Sequence, residues 1–116
     1  GFVTYYGSRS IVYENGNSGT PEIPLVTGIR SLFPNPFNPV ATIMYELSQP
    51  AEVKIDIYNT RGQVVHNFAL GQKERGSYKL LWEGDDNYGN PCGNGIYYIR
   101  MQAGKEISIK KAILMK

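Results

Sequence analysis

Residues 42–58 read TIMYELSQPAEVKIDIY, and apolar residues alternate with more polar ones along this stretch. The apolar positions are Ile43, Tyr45, Leu47, Val53, Ile55 and Ile57. A period of two is typical of a strand with one buried face, because successive side chains of a strand point to opposite sides. A turn at residues 48–50, which contains Pro50, separates the two runs. The stretch therefore predicts two half-buried strands.

The same period continues through the rest of the chain. A tight turn is predicted at residues 59–62, where Gly62 supplies the left-handed backbone conformation. Further strands are predicted at residues 63–70, 76–82, 96–103 and 106–115. Short strands with turn residues between them, and no helical period, predict an all-β fold: an antiparallel β-sandwich of about seven strands.

The last predicted strand changes its apolar phase. Ile107 and Ile109 alternate with polar residues, Lys110 and Lys111 interrupt the pattern, and residues 112–115 are apolar throughout. This change predicts either a bulge near the lysines or burial on both faces of the strand.

A proline-rich segment, PNPFNP at residues 34–39, stands directly before the first of these strands. Proline fixes its own φ, removes a backbone donor and pushes the preceding residue toward extended geometry. The segment is therefore predicted to be stiff and to run along a sheet edge. We expect Phe33 and Phe37 to close one end of the core. The alternative, a proline-rich ligand for another protein's aromatic groove, is disfavoured because the segment is short and flanked by strand-like sequence.

Composition narrows the class of protein. The 116 residues are 41% hydrophobic and 19% charged, which indicates one globular domain with a core of its own. The net charge of +2 is small and scattered, so we expect neither nucleic acid nor anionic lipid as a partner. No apolar run is long enough to span a membrane, and Cys92 is the single cysteine. Because the chain starts at Gly1 without methionine, we interpret it as a fragment of a longer protein.

Residues 1–30 differ from the rest. Residues 1–13 are predicted to form a strand hairpin, either the end of an upstream domain, which we favour, or an extra pair of strands that packs on this one. Residues 14–30 are polar and rich in glycine and proline, as expected of a linker. The sandwich itself is predicted at residues 31–116.

Catalytic and metal-binding residues are sparse. The sole histidine, His66, is in phase with Val64 and Phe68, which favours packing in the core or at its rim over a nucleophilic triad. Four residues of one glycine-rich stretch offer oxygens, and turn formation explains them better than calcium binding; they are Asp85, Asp86, Asn87 and Asn90. We therefore predict no enzyme activity, no cofactor and no metal.

The chain has nine tyrosines. Tyr58, Tyr88 and Tyr98 fall outside the apolar phases, so they are candidates for a flat aromatic platform that binds sugars or a partner surface. The alternative is ordinary packing, because tyrosine is common on the strands of sandwiches.

An ordered series of short motifs runs from residue 31 to residue 116. In chain order these are Leu32-Phe33-Pro34-Asn35-Pro36-Phe37-Asn38-Pro39, Thr42-Ile43, Tyr45-Glu46-Leu47, Val53-Lys54-Ile55, Ile57-Tyr58-Asn59, Gly62-Gln63, Trp82-Glu83-Gly84-Asp85, Gly95-Ile96-Tyr97-Tyr98-Ile99-Arg100 and a lysine-ended final strand. The series resembles the type A C-terminal sorting domain of type IX (Por) secretion substrates. It is also similar to the related immunoglobulin-like domain of the flagellar hook-capping protein.

The resemblance implies an immunoglobulin-like, non-catalytic module of a larger secreted protein. Its implied partners are an outer-membrane secretion machinery, a surface sortase-like peptidase and an upstream catalytic or adhesin domain in the same chain. The implied location is outside a Gram-negative cell or on its surface, reached through the periplasm. The implied recognition residues are Gly95, Tyr97, Arg100, Lys110, Lys111 and Lys116. The implied structural motif comprises Pro34, Asn35, Pro36, Phe37, Asn38, Pro39 and Trp82.

Two other functions stay open at this point. One is a carbohydrate- or surface-binding accessory module of a secreted hydrolase, and the other is a flagellar hook-cap-type structural domain. The lysines beside the apolar end of the last strand could provide a receptor with both charge and apolar surface. The alternative is that they only prevent this strand from pairing with another chain.

Overall fold

The computed structural model of the protein describes residues 24–116. The strands are β1 (Gly28–Phe33), β2 (Ala41–Leu47), β3 (Ala51–Tyr58), β4 (Val64–Lys73), β5 (Gly76–Trp82), β6 (Gly95–Ala103) and β7 (Glu106–Leu114). They form a three-stranded sheet in the order β1-β2-β5 and a four-stranded sheet in the order β4-β3-β6-β7, with antiparallel pairing throughout. The predicted all-β immunoglobulin-like sandwich is confirmed.

The core lies between the inner faces of the two sheets. Ile43 of β2, Ile55 and Ile57 of β3, and Ile99 of β6 have no exposed surface. Each is in the apolar phase that the period of two predicts. Burial of such a side chain stabilises the fold by about 1.5–3 kcal/mol, so the hydrophobic effect holds the two sheets together.

The hairpin between β3 and β4 is formed as predicted. Gly62 has φ +82°, and its N–H donates to the Asn59 carbonyl at 3.0 Å. His66 pairs with Ile57 across the sheet and stacks on Phe68 with ring centroids 4.2 Å apart. Its side chain is largely buried, so the predicted packing role of the histidine is confirmed.

The strands differ from the predictions at two main places. β1 was not predicted, and its first three residues, 28–30, belong to the predicted linker. β4 continues to Lys73, past the predicted end at residue 70. The predicted hairpin at residues 1–13 and most of the predicted linker lie outside the described residues, and they stay predictions.

The prediction that Phe33 closes the core is wrong. Phe33 pairs with Thr42, which lies on the outer face of the β1-β2-β5 sheet, and 49% of Phe33 is exposed. A register shift between Ile29 and Ser31 changes which side chains of β1 face inward. Phe37, by contrast, is 1% exposed and closes the core as predicted.

In β7 the isoleucines that alternate with polar residues face solvent, not the core. Ile107 and Ile109 lie opposite Gln102 and Arg100 on the outer face, and they are 53% and 57% exposed. The pairing of β6 with β7 runs without a register shift, so the predicted bulge near the lysines is wrong. The other alternative, burial on both faces, is realised only near the end of the strand.

Candidate recognition surface around the last strand

The proline-rich segment runs parallel to the end of β7. The N–H of Phe37 donates to the Ile113 carbonyl at 2.8 Å, and the N–H of Met115 donates to the Phe37 carbonyl at 3.0 Å. Phe37 can donate because the three prolines, which lack a backbone N–H, occupy positions 34, 36 and 39. The segment thus covers the edge that the end of β7 would otherwise expose.

Asn35 extends this covered edge with its side chain. Its Nδ2 donates to the Lys111 carbonyl at 3.0 Å, and its Oδ1 accepts from the Ile113 N–H at 2.9 Å. The side-chain amide uses one N–H donor and its oxygen acceptor here, as the peptide groups of a paired strand do, so it takes the place of a strand residue. Asn35 and Phe37 together tie the start of the domain to its last strand.

An aromatic cluster lies behind this contact. Trp82 is fully buried, with ring centroids 5.2 Å from Phe37 and 5.3 Å from Tyr97. Its Nε1–H donates to the Asp85 carbonyl at 2.8 Å, which satisfies the one polar atom of the side chain. The Tyr97 hydroxyl donates to the Gly93 carbonyl at 2.6 Å, and burial raises the pKa of Tyr97.

The loop after β5 is built by side-chain turns, as predicted. Asp86 Oδ1 accepts from the N–H groups of Tyr88 and Asn90 at 2.9 Å and 2.8 Å. Asn87 Oδ1 accepts from the Asn67 N–H at 3.0 Å. Within residues 24–116 no group of three His, Cys, Asp or Glu side chains converges as a metal site would require.

Hydrogen bonds from the Asn90 backbone, and then from Tyr88, hold the pKa of Asp86 below its ordinary value of 3.8. The stabilisation from this carboxylate is therefore complete above that value and is lost as the pH falls through the lowered pKa. We expect Asp86→Asn to be less stable than the wild type at neutral pH and to approach it below pH 3.8. Urea unfolding followed across this pH range measures the difference. A difference that does not change with pH would contradict the assignment.

An apolar groove lies on the outer face of the four-stranded sheet. Tyr58 and Tyr98 are cross-strand partners, and Ile109 stands on the neighbouring strand. The groove, which we call the outer groove, has a volume of about 520 Å³ and is lined by Tyr58, Asn59, Thr60, Gly62, Tyr98, Arg100 and Ile109. Tyr88 belongs to the loop after β5 and is 89% exposed, so only two of the three predicted platform tyrosines meet.

The recognition residues that the resemblance implies do not form one surface: some are accessible, and Tyr97 is buried. Lys110, Lys111 and Lys116 are exposed, and half-buried Arg100 lines the outer groove. Tyr97 is 8% exposed and belongs to the aromatic cluster. Gly95 starts β6 with φ +150°, opposite Leu114.

Ile107 and Ile109 are surface residues that the sequence analysis missed. Their exposure follows from the register of β7 on β6, in which Ile109 faces Arg100. The polar residues of β6 between Tyr97, Ile99 and Met101 were the available clue, because a cross-strand partner shares the face of its neighbour.

The profile of the FlgD Ig-like domain matches residues 38–106. The chain belongs to the FlgD Ig-like domain family. The match covers β2 to β6 and ends at the first residue of β7. The contact between the proline-rich segment and the end of β7 therefore lies almost entirely outside the part that defines this family.

Three solved structures resemble the domain. Dimeric latent PorU from Porphyromonas gingivalis is 25% identical, with a TM-score of 0.62 over 73% of this chain. FlgD from P. aeruginosa is 26% identical, with a TM-score of 0.53 over 65%. PorZ, a surface component of the type IX secretion system of Porphyromonas gingivalis, is 20% identical over 74% with a TM-score of 0.52, and it supports the fold alone.

The similar region is a small part of two of these proteins. It spans 9% of the PorU chain, 11% of the PorZ chain and 60% of the FlgD chain. No curated protein matches the chain in sequence. Residues 24–116 contain no helix that could cross a membrane.

Proposed function

We propose that this domain directs export of a larger protein across the outer membrane by type IX secretion, as its type A C-terminal sorting domain. The observation that carries the proposal is the exposed face of β7. It presents Ile107, Ile109 and Lys111 on the side of the outer groove, in the part of the chain that the FlgD family match leaves out. Lys110 is also exposed, but it lies opposite Ile99 and so belongs to the other face of the strand. The fold is shared with PorU and with PorZ, of which PorZ is a surface component of the type IX secretion system.

In this role the domain is non-catalytic. Exposed apolar side chains such as Ile107 and Ile109 lose water when a partner covers them, which supplies affinity. Lys111 on the same face, and Lys110 at the adjacent position on the other face, favour a partner surface that carries negative charge. Charge complementarity raises the rate of encounter. The outer-membrane secretion machinery is the proposed partner for this surface.

Further partners follow from the same role. An upstream catalytic or adhesin domain would be the cargo, exported through the periplasm to the outer cell surface or the medium. A surface sortase-like peptidase would then act on the exported protein. Gly95 and Tyr97, which lie in the strand beside β7, would support the recognised surface, and Arg100 would contribute to it from the outer groove.

A deletion of residues 112–116 would not test this proposal cleanly. Ala112 and Leu114 are buried in the core, and residues 113 and 115 accept and donate the bonds to the proline-rich segment. The deletion would therefore unfold the sandwich, and loss of export would follow from either cause. Substitutions of exposed side chains keep these two effects apart.

The triple variant Ile109→Ser, Lys110→Glu and Lys111→Glu is the sharper test. In the full-length protein, produced in a bacterium with type IX secretion, we expect about a tenfold fall in the exported fraction, equivalent to about 1.4 kcal/mol of lost recognition. Immunoblots of medium, cell surface and periplasm measure the fraction.

The matched control changes one isoleucine-sized residue and two lysines elsewhere on the surface: Leu81→Ser, Lys79→Glu and Lys105→Glu, all exposed. We expect the control to be exported like the wild type. Equal export of the two triple variants, with both folded, would refute the sorting role.

A flagellar hook-cap-type structural domain is the second candidate. The family match itself favours it, together with the alignment to 60% of the FlgD chain. In that case removal of the domain from the full-length protein would abolish motility and leave secretion unchanged.

A carbohydrate- or surface-binding accessory module is the third candidate. The observation in its favour is the Tyr58–Tyr98 pair in the outer groove, because aromatic faces stack on sugar rings. Retention of the chain on insoluble polysaccharide, lost in Tyr98→Ala, would promote it over the other two.

A further inference from the structure

The outer face of the four-stranded sheet combines exposed apolar side chains with charges of both signs. Cross-strand partners share a face, so the register of β3, β6 and β7 arranges these side chains in rows across the sheet. Ile107, Ile109 and Tyr98 are 53%, 57% and 39% exposed. A contiguous group of exposed apolar side chains is typical of a surface that a partner covers. We call the following six residues the β3-β6-β7 face: Asp56, Tyr58, Tyr98, Arg100, Ile107 and Ile109.

Asp56 and Arg100 lie side by side at the middle of this face. They are direct partners in the pairing of β3 with β6, and both are half-buried. Arg100 Nη1 donates to Gln102 Oε1 at 3.3 Å, and this bond uses one of the five N–H donors of the guanidinium. A face with a negative and a positive group on neighbouring strands is complementary to itself, because a second copy that is turned over presents the same two groups in the opposite order.

We propose that two copies of this chain pair through their β3-β6-β7 faces, related by a two-fold axis that runs parallel to the strands between β3 and β6. This axis places β3 of each copy over β6 of the other. Each Asp56 then meets Arg100 of the second copy, and each Tyr58 meets Tyr98. Sheets that pack face to face keep their strands within about 30° of each other, so the match holds best close to the axis, where these pairs lie.

Charge selects this orientation over the other face-to-face arrangement. A two-fold axis that runs across the strands would place β3 over β3 and β6 over β6. The Asp56 side chains of the two copies would then meet each other, and so would the Arg100 side chains. Like charges in contact at an interface cost several kcal/mol. The axis parallel to the strands instead matches both charges at once.

Apolar burial supplies the affinity of the contact. Ile107 and Ala69 belong to the same row, on β7 and β4, so the proposed axis places each over the other in the second copy. Four strands about 4.8 Å apart and about 26 Å long give a face of roughly 500 Å². A contact of this size is at the lower end of specific interfaces, so we expect a weak dimer with a Kd on the order of 10–100 µM.

The pairing goes beyond the sorting role and does not depend on it. Ile107 and Ile109 belong both to the β3-β6-β7 face and to the surface of β7 that the sorting role uses. A second copy and the secretion machinery would therefore compete for these two side chains.

Sedimentation velocity of the 116-residue chain, at concentrations from about 5 µM to about 500 µM, tests the proposal. We expect the average mass of the wild type to rise toward that of a dimer. Asp56→Arg and Arg100→Asp each place like charges over one another, so each variant alone should dimerise at least about tenfold more weakly. An equimolar mixture of the two variants is complementary again, and we expect it to form heterodimers with nearly the wild-type affinity.

The matched control is Lys79→Asp, which reverses an exposed charge on the other sheet and should leave the dimer unchanged. The double variant with both Asp56→Arg and Arg100→Asp exchanges the two charges within one chain and should dimerise like the wild type. Circular dichroism reports that each variant is folded.

Three results would overturn the proposal: a wild type that stays monomeric up to about 500 µM, a folded single variant that dimerises like the wild type, or a mixture without heterodimers. The second result would assign the contact to another surface. The assay contains no secretion machinery, so its outcome leaves the export test of the β7 triple variant unaffected, and equal export of the two triple variants bears only on the sorting role.

Discussion

Trp82→Ala is expected to lower the free energy of unfolding by about 3–5 kcal/mol, the usual cost of removing a large buried aromatic side chain. Trp82 is fully buried between Phe37 and Tyr97, so its loss leaves a cavity at the point where the proline-rich segment meets the core. A small domain has about 5–15 kcal/mol of stability in total, so the variant retains little. Urea unfolding monitored by circular dichroism measures the loss.

Leu81→Ala is the matched control. Leu81 precedes Trp82 on the same strand and is 51% exposed on the outer face. We expect it to change the free energy of unfolding by no more than about 0.5 kcal/mol, as exposed positions usually do. Similar losses for the two variants would mean that Trp82 does not carry the packing that its burial indicates.

Gly84→Ala is expected to be the most damaging of the glycine substitutions. Gly84 has φ +69°, a conformation that costs a residue with a Cβ about 1–2 kcal/mol. An added Cβ would lie 2.9 Å from the Pro39 carbonyl oxygen and 3.6 Å from the Leu114 side chain. Because the closest atom belongs to the backbone, relief requires a chain shift, and overpacking of this kind costs about 1–3 kcal/mol more.

Gly89→Ala separates the two contributions. Gly89 has φ +84°, and a Cβ there meets nothing within 4 Å. It should therefore show the conformational cost alone. Thermal or urea unfolding of both variants gives the difference, and equal losses at Gly84 and Gly89 would refute the close approach of Pro39.

The period of two predicted most of the fold because burial and strand geometry act on the same residues. Ile55 and Ile57 are buried where the alternation put them. In β7 the alternation alone could not decide which face is inner. Ile107 and Ile109 would put the odd-numbered positions in the core, whereas Ala112 and Leu114 would put the even-numbered positions there. The turn at Gly104 sets the register of β7 on β6, and in that register Ala112 and Leu114 face the core.

The candidate surface was less predictable than the fold. The prolines predicted a segment that runs along a sheet edge, and the segment does lie along the edge of β7. The bonds of Asn35, however, join residues 76 and 78 positions apart in sequence. Residues so far apart in sequence come into contact only in the folded sandwich, so no local sequence pattern predicts the contact. The outer groove arises in the same way, from Tyr58 and Tyr98 on paired strands.

The parallel contact between the proline-rich segment and β7 also has a mechanical consequence. The chain enters beside Glu106, at one end of β7, and Lys116 lies past the other end. Tension applied between residues 24 and 116 would pull the proline-rich segment and β7 along each other. The hydrogen bonds of Asn35 and Phe37 would then be loaded in shear and all at once, and would not break one after another. Forced unfolding is governed by the unfolding rate, so these few hydrogen bonds set the force at which the domain unfolds.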